Sequence, residues 1–204
     1  MPIRKWGQER LVNLATAGNQ ADPAVAALTD GGYLLAWEDL TGGSRGQVNY
    51  QRYDAIGNPV GGPGTIAGTA ATPGALNPFV TGRSDGGFSV GYDDLFPSPD
   101  IKPTVVSFGA AGNFLSTRTL TGAPGAQDQI TVDRNGTGLV AVWHDASANS
   151  GDIVASLLDA SGNFIATPSG MTFRINATTA GSQSRMSRRW RAAASPSRGS
   201  TRRA

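Results

Sequence analysis

The stretch "DGGYLLAWEDL", Asp30–Leu40, decides the reading of this chain, because it occurs three times. It returns as "DGGFSVGYDDL" at Asp85–Leu95 and, more loosely, as "GTGLVAVWHDA" at Gly136–Ala146. Trp37, Tyr92 and Trp143 fall in register, 55 and 51 residues apart. A second marker keeps step with the first. "QRYDAIGN", "VSFGAAGN" and "SLLDASGN" place Gly57, Gly112 and Gly162 at spacings of 55 and 50. Two independent markers at one spacing are the signature of a repeat architecture.

Inside each copy the pattern is that of strands. Tyr33, Leu35 and Trp37 alternate with Leu34 and Ala36, and Phe88, Val90, Tyr92 and Leu139, Ala141, Trp143 repeat the alternation. The intervening positions are also apolar or small, as expected of a sheet packed on both faces. A first strand precedes each copy ("PAVAAL", "PFVTGR", "QITVDR"), and Asp30-Gly31, Asp85-Gly86 or Asn135-Gly136 joins it to the second. Asp-Gly and Asn-Gly supply the positive φ of a tight hairpin. A third strand such as "QVNYQRYD" leads into a Gly-Asn turn, and a weaker fourth strand follows. Four antiparallel strands in about 50 residues is the size of a propeller blade. β-Sandwich modules need about 100 residues each and fit this period poorly.

The expected fold is therefore all-β: tandem four-stranded antiparallel blade-like repeats, an incomplete β-propeller, with a disordered Arg-rich C-terminal tail. The units are expected at 9–68, 69–122 and 123–177, with the start of a fourth at 178–184 and the tail at 185–204.

The first unit, Leu11–Gly62, with its "VNLATAGNQ" lead-in, DGG-aromatic core and "QRYDAIGNPVG" turn, resembles the roughly 50-residue repeats of giant bacterial surface and secreted proteins. The other two units match mainly at DGG-aromatic and Gly-Asn. Proteins with such repeats often also carry RTX calcium-binding nonapeptides. The resemblance implies a propeller-like, extracellular region with an adhesive, binding or structural role rather than catalysis. Glycan or protein ligands would bind at a propeller face. The alternative, from another class, is a carbohydrate-active propeller enzyme of glycosidase type.

Composition excludes several chemistries. The 204 residues contain no cysteine, which rules out disulfides, zinc-thiolate sites and cysteine nucleophiles. No apolar run is long enough for a membrane span, and the start, "MPIRKWGQERLVN", lacks the apolar core of a secretory signal. The net charge of +2 hides a division: residues 185–204 carry seven of the 17 basic residues and no carboxylate. Such a tail attracts polyanions without specificity, and no specific nucleic-acid partner is expected.

The tail has another reading. With G or C in most third codon positions, a frame beginning at the last base of the Ser184 codon gives P-D-V-A-A-L-A-G-G-G-F-A-V-A-W. That string parallels "PAVAALTDGGYLLAW", Pro23–Trp37. A frameshifted fourth blade is the expectation, hence a truncated gene product, which would remain in the cytoplasm when expressed alone. Three blades without neighbours should also self-associate.

Candidate site residues are few. Glu38, Asp39, Asp93, Asp94 and Asp145 recur at the end of the second strand, where carboxylates converging on one rim could bind Ca²⁺, a cation wanting six to eight oxygens. Their plainer role is solubilising strand-end charge. "GGPGTIAG" from Gly61 has Ile66 where an RTX repeat places its calcium-binding Asp. "GFSVG", Gly87–Gly91, matches a nucleophile elbow, but Ser89 falls in mid-strand rather than at a strand-turn-helix junction. His144, the one histidine, reads as a solvated strand-end residue. Asp54 and Asp159 precede turns and should accept backbone hydrogen bonds. No catalytic residue is assigned, and no enzyme activity is expected.

Overall fold

A computed structural model of the chain describes residues 11–13, 17–41, 46–67, 74–95, 100–121, 124–146 and 151–177. The start of a fourth unit at 178–184 and the tail at 185–204 lie outside the described residues. Thirteen strands and their turns account for the regular structure, with no helix among the described residues.

The strands form three antiparallel sheets. β1 (Gln20–Ala27), β2 (Tyr33–Asp39), β3 (Gln47–Tyr53) and β4 (Pro59–Ala67) make the first, in sequence order. The second repeats this with β5 (Ala75–Gly82), β6 (Phe88–Asp94), β7 (Lys102–Phe108) and β8 (Phe114–Thr119). The third comprises β9 (Gln127–Asn135), β10 (Gly138–Asp145) and β11 (Asp152–Leu158), and departs from four strands at its outer edge. There β12 (Phe164–Ile165) and β13 (Thr172–Arg174) share the flank of β11.

The repeated glycines set the hairpins. Gly31, Gly86 and Gly136 hold φ of +83°, +87° and +60° between the first and second strands. The next glycine serves a different purpose. A Cβ on Gly32, Gly87 or Gly138 would strike the carbonyl oxygen of Tyr53, Phe108 or Leu158 on the neighbouring third strand.

Blade packing follows from side-chain parity. In the first sheet, Leu34 and Ala36 face forward onto the second sheet, joining Val80, Phe88, Val90, Tyr92, Val106 and Phe108 in one core. Phe88 and Phe108 stack there at 4.8 Å. The second sheet's opposite face, with Val105, meets Ile130, Val132, Leu139, Ala141 and Trp143 of the third. The Tyr33–Leu35–Trp37 set and its equivalents thus form each blade's leading face, and the Leu34–Ala36–Glu38 set its trailing face. Burial records the consequence: β7 is buried along its whole length and β6 everywhere but Asp94, whereas β2 and β10 carry half-buried positions. Among the described residues, only the middle blade is covered on both faces.

The innermost strands lie side by side, β1 against β5 and β5 against β9. They define the axis around which the blades are arranged.

Candidate functional site

Each innermost strand is broken at the same place. Register shifts fall between Ala21 and Ala24, between Leu76 and Phe79, and opposite Val142–His144 in β9. At each break a non-glycine residue has positive φ: Asp22 at 46°, Asn77 at 52°, Gln129 at 58°. Such residues are uncommon, and strained backbone persists only where the surroundings enforce it, often at functional sites. Here the bulge leaves three polar residues exposed, one on the inner strand of each blade.

Behind each bulge stands the end of a second strand. Glu38 pairs with Ala21, Asp93 with Leu76 and His144 with Asp128, so the three are structural equivalents. Asp93 is 1% exposed and receives Asn77 Nδ2 at 2.9 Å from its own blade. It also receives the backbone N–H of Gln129 (2.9 Å) and of Ile130 (3.3 Å) from the next blade. Burial wins over these bonds and pushes its pKa up to about 6. Glu38 repeats the arrangement. It is 4% exposed, accepts the backbone N–H of Asn77 and lies near the Asp22 carboxylate. Desolvation, and secondarily the charge of Asp22, raise its pKa. In the first and second blades, one carboxylate therefore clasps the following blade's inner strand.

The acidic candidates separate accordingly. Glu38 and Asp93 are buried clasps, not solubilising charge. Asp39 accepts hydrogen bonds from Gln20 Nε2 (3.0 Å), Asn49 Nδ2 (3.1 Å), Thr41 N (2.9 Å) and Thr41 Oγ1. Burial acts against ionisation of Asp39, but these donors outweigh it and hold its pKa below the ordinary value. Asp145 receives Gln127 Nε2 at 3.4 Å, and Asp94 lies opposite Lys102 at the same end of its own sheet. Among the described residues no three His, Asp or Glu side chains gather as a metal cluster.

His144 is also corrected. Its side chain is 11% exposed rather than solvated, and Nδ1 bonds Asp128 Oδ1 at 2.8 Å. Ser89 is fully buried and hydrogen-bonded to Ser107 Oγ at 3.0 Å in mid-sheet, with no nucleophile elbow around it. Asp54 and Asp159 cap their turns, accepting from Ile56 N and Asn58 N, and from Ser161 N and Asn163 N. The bonds from Asn58 and Asn163 lead in lowering their pKa values.

Two hollows lie on the leading face of the first sheet. One, of about 160 Å³, is lined by Gln20, Trp37, Asp39 and Asn49. The other, of about 610 Å³, runs beside Tyr33 and Tyr53, which stack on each other at 5.0 Å.

No protein-family model and no curated protein matches the chain. Solved structures do. Sucrose-6-phosphate hydrolase from Lactobacillus gasseri aligns at a TM-score of 0.53 and 13% identity, over 72% of this chain and 33% of that one. A glycosyl hydrolase from Bacteroides ovatus aligns at 0.46 and 10%, over 77% and 52%. A structure from the GH130 family of mannoside phosphorylases, whose glycoside hydrolases target beta-1,2 mannosidic linkages in Candida mannan, aligns at 0.46 and 9%, over 77% and 51%. The chain shares a propeller-like fold. That likeness rests on the first structure.

The chain spans about a third of the hydrolase and about half of the others. The neighbours overturn the expectation of a non-catalytic surface or adhesion segment, and with it the expectation of no enzyme activity. Of these solved structures, the one that carries the fold likeness is a sucrose-6-phosphate hydrolase. They give no support to giant surface-protein repeats or an RTX association.

Asp22, Asn77, Gln129 and Asp128 were not among the sequence candidates. Their signal was a polar residue interrupting an apolar strand, ahead of proline in "ADPAV" and "LNPFV".

Proposed function

We propose that this chain forms part of a carbohydrate-active propeller, with the mouth of the blade axis as its glycan site. The observation that carries the reading is Glu38, a buried carboxyl group whose pKa is raised by burial first and by the nearby Asp22 charge second, behind the exposed Asp22 bulge. A carboxyl group whose pKa burial raises keeps its proton more readily and can act as an acid. Glycoside cleavage needs such an acid at the leaving oxygen and a second carboxylate, as base or nucleophile, on the other side of the bond. Asp128, 31% exposed and bonded to His144, supplies that second carboxylate from the third blade. Asn77 and Gln129, exposed on the same rim, offer amide donors and acceptors to sugar hydroxyls.

The test is turnover of a panel of glycosides, with and without inorganic phosphate to admit phosphorolysis. Asp22→Asn, Glu38→Gln and Asp128→Asn should each lower kcat about a hundredfold or more, the scale of acid–base catalysis, while circular dichroism is unchanged. Absence of turnover across the panel, or full activity in all three variants, overturns the reading.

A further inference from the structure

Asn77 Nδ2 lies 2.9 Å from Oδ2 of Asp93, and this contact fixes the orientation of an exposed amide. We propose that Asp93 is a positioning residue that decides which end of the Asn77 amide meets a bound sugar: ionised, it makes Asn77 a hydrogen-bond acceptor, and protonated, a donor. The sugar's part in this rests on the carbohydrate reading, whereas the orientation of the amide stands on the bonds around Asp93.

The orientation of an amide follows from its partners. An ionised carboxylate only accepts hydrogen bonds, so the branch of Asn77 turned to it must be the NH2 group. The carbonyl oxygen Oδ1 is the branch left for a ligand, and it selects a donor such as an unsubstituted sugar hydroxyl. Both ends of the contact are held. Asp93 is 1% exposed and takes two further donors, Gln129 N on Oδ2 (2.9 Å) and Ile130 N on Oδ1 (3.3 Å). Asn77 sits at its bulge with φ of 52°, its backbone N–H bonded to Glu38 of the preceding blade. Only the middle blade pairs an amide with a buried carboxylate in this way. The equivalent places hold Asp22 with Glu38 in the first blade and Gln129 with His144 in the third.

Protonation reverses the arrangement. A proton on Oδ1 would set an O–H against the Ile130 N–H. A proton on Oδ2 directed at Asn77 leaves a lone pair on each oxygen for the two backbone donors. Every bond is then kept, provided that Asn77 turns its carbonyl inward and its NH2 group outward. Burial, acting against the bonds from Asn77, Gln129 and Ile130, brings the titration of Asp93 to about 6, so mild buffers reach both states. The strands packed against Asp93 carry few other charges. β5 has no titratable group, and Lys102 of β7 is held by Gln127 and Asp100. On β9, Asp128 adds to the rise and is bonded to His144 of β10, while Asp133 and Arg134 stand at the far end of the strand.

The amide is read directly by magnetic resonance on the isotope-labelled full chain, with the Asn77 NH2 signal assigned by its loss in Asn77→Asp. At about pH 7.5, well above the titration, that signal should be protected from exchange and show a short contact to the Gln129 amide proton, which shares Oδ2. At about pH 5 both properties should be lost. In Asp93→Asn they should persist at both pH values, because the substituted amide keeps its oxygen where two donors meet and takes up no proton.

The consequence for a sugar is read with a panel of methyl glycosides and their deoxyfluoro analogues, whose fluorine cannot donate. At the higher pH, the glycoside whose hydroxyl meets Asn77 should bind about tenfold more tightly than its fluoro analogue, the scale of one lost hydrogen bond. At the lower pH this preference should fall severalfold in wild type and stay unchanged in Asp93→Asn. An Asn77 signal with the same contact at both pH values overturns the proposal, as does an inversion that Asp93→Asn undergoes equally. An amide that inverts while the preference stays constant overturns the role of Asn77 toward the sugar. Binding by no glycoside contradicts the carbohydrate reading and the sugar's part of the proposal, and the inversion, which needs no ligand, is then judged by the amide signal alone.

Discussion

Asp93 of the second blade accepts the backbone N–H of Gln129 of the third at 2.9 Å, tying the strained point of one inner strand to the blade before it. The bond joins stability to the candidate site, because the residue it holds is also one of the exposed polar residues at the bulges. Removing the carboxylate should therefore disturb both. Asp93→Ala leaves the buried backbone N–H of Ile130 and the part-buried one of Gln129 without their acceptor and should destabilise by roughly 2–4 kcal/mol, measured by urea unfolding.

The same residue sets a pH dependence. Its pKa rises from an ordinary 3.8 to about 6 on folding. Between those values the folded chain keeps a proton that the unfolded chain releases, so rising pH costs stability. The effect is complete above about pH 6, and a two-unit shift corresponds to at most roughly 3 kcal/mol. Asp54, Asp85 and Asp159, whose pKa values are lowered, act oppositely and at lower pH. The difference between wild type and Asp93→Asn isolates the Asp93 contribution: wild type should lose more stability than the variant between pH 4 and 6.5. Equal slopes would contradict it.

The glycine after the turn is fixed by a steric limit. Gly87→Ala places a methyl group against the Phe108 carbonyl and should cost about 2–4 kcal/mol. Gly112→Ala, with open space around it but φ of +80°, should cost less, about 1 kcal/mol. Thermal unfolding of the two variants compares them directly.

Position within the array should scale the cost of equivalent substitutions. Tyr33 and Phe88 occupy the same place in successive leading faces, but Phe88 is 1% exposed between two blades and Tyr33 is only half-buried. Phe88→Ala should cost about 3–5 kcal/mol, and Tyr33→Ala about half as much or less. Equal losses would mean that the first blade's leading face is as fully packed as the second's.

Calcium should matter little to stability. The Asp39 oxygens are taken up by Gln20, Thr41 and Asn49, and Glu38 and Asp93 by the next blade's inner strand. Millimolar calcium or a chelator should shift the thermal midpoint by about 2 °C or less, under the change that 1 kcal/mol produces in a chain this long. A larger shift would show a calcium site.

Much of the fold is legible because its determinants are local. Asp30-Gly31-Gly32 and Asp85-Gly86-Gly87 mark hairpins through φ and close approach, and the alternation through Trp37 and Trp143 marks strands. The split outer edge of the third sheet is less so, since two or three residues at Phe164–Ile165 and Thr172–Arg174 leave no periodicity to read. The site was obscured for a geometric reason. Glu38 and Asp93 look like strand-end charges, yet parity with Leu34–Ala36 and Ser89–Gly91 puts them on the trailing face, turned into the next blade. Their partners, Asn77 and Gln129, are about 40 residues away in sequence and come into reach only through a bulge.

The most direct test is where a glycan touches the chain. Amide shifts of isotope-labelled protein, recorded during titration with the oligosaccharides that bind it best, locate the contact. Perturbations centred on Asp22, Glu38, Asn77, Asp128 and Gln129 are predicted, with binding weakened at least tenfold by Asp22→Ala. Perturbations confined to the Tyr33–Tyr53 groove, or none with any oligosaccharide, would contradict the assignment of the axis mouth as the site.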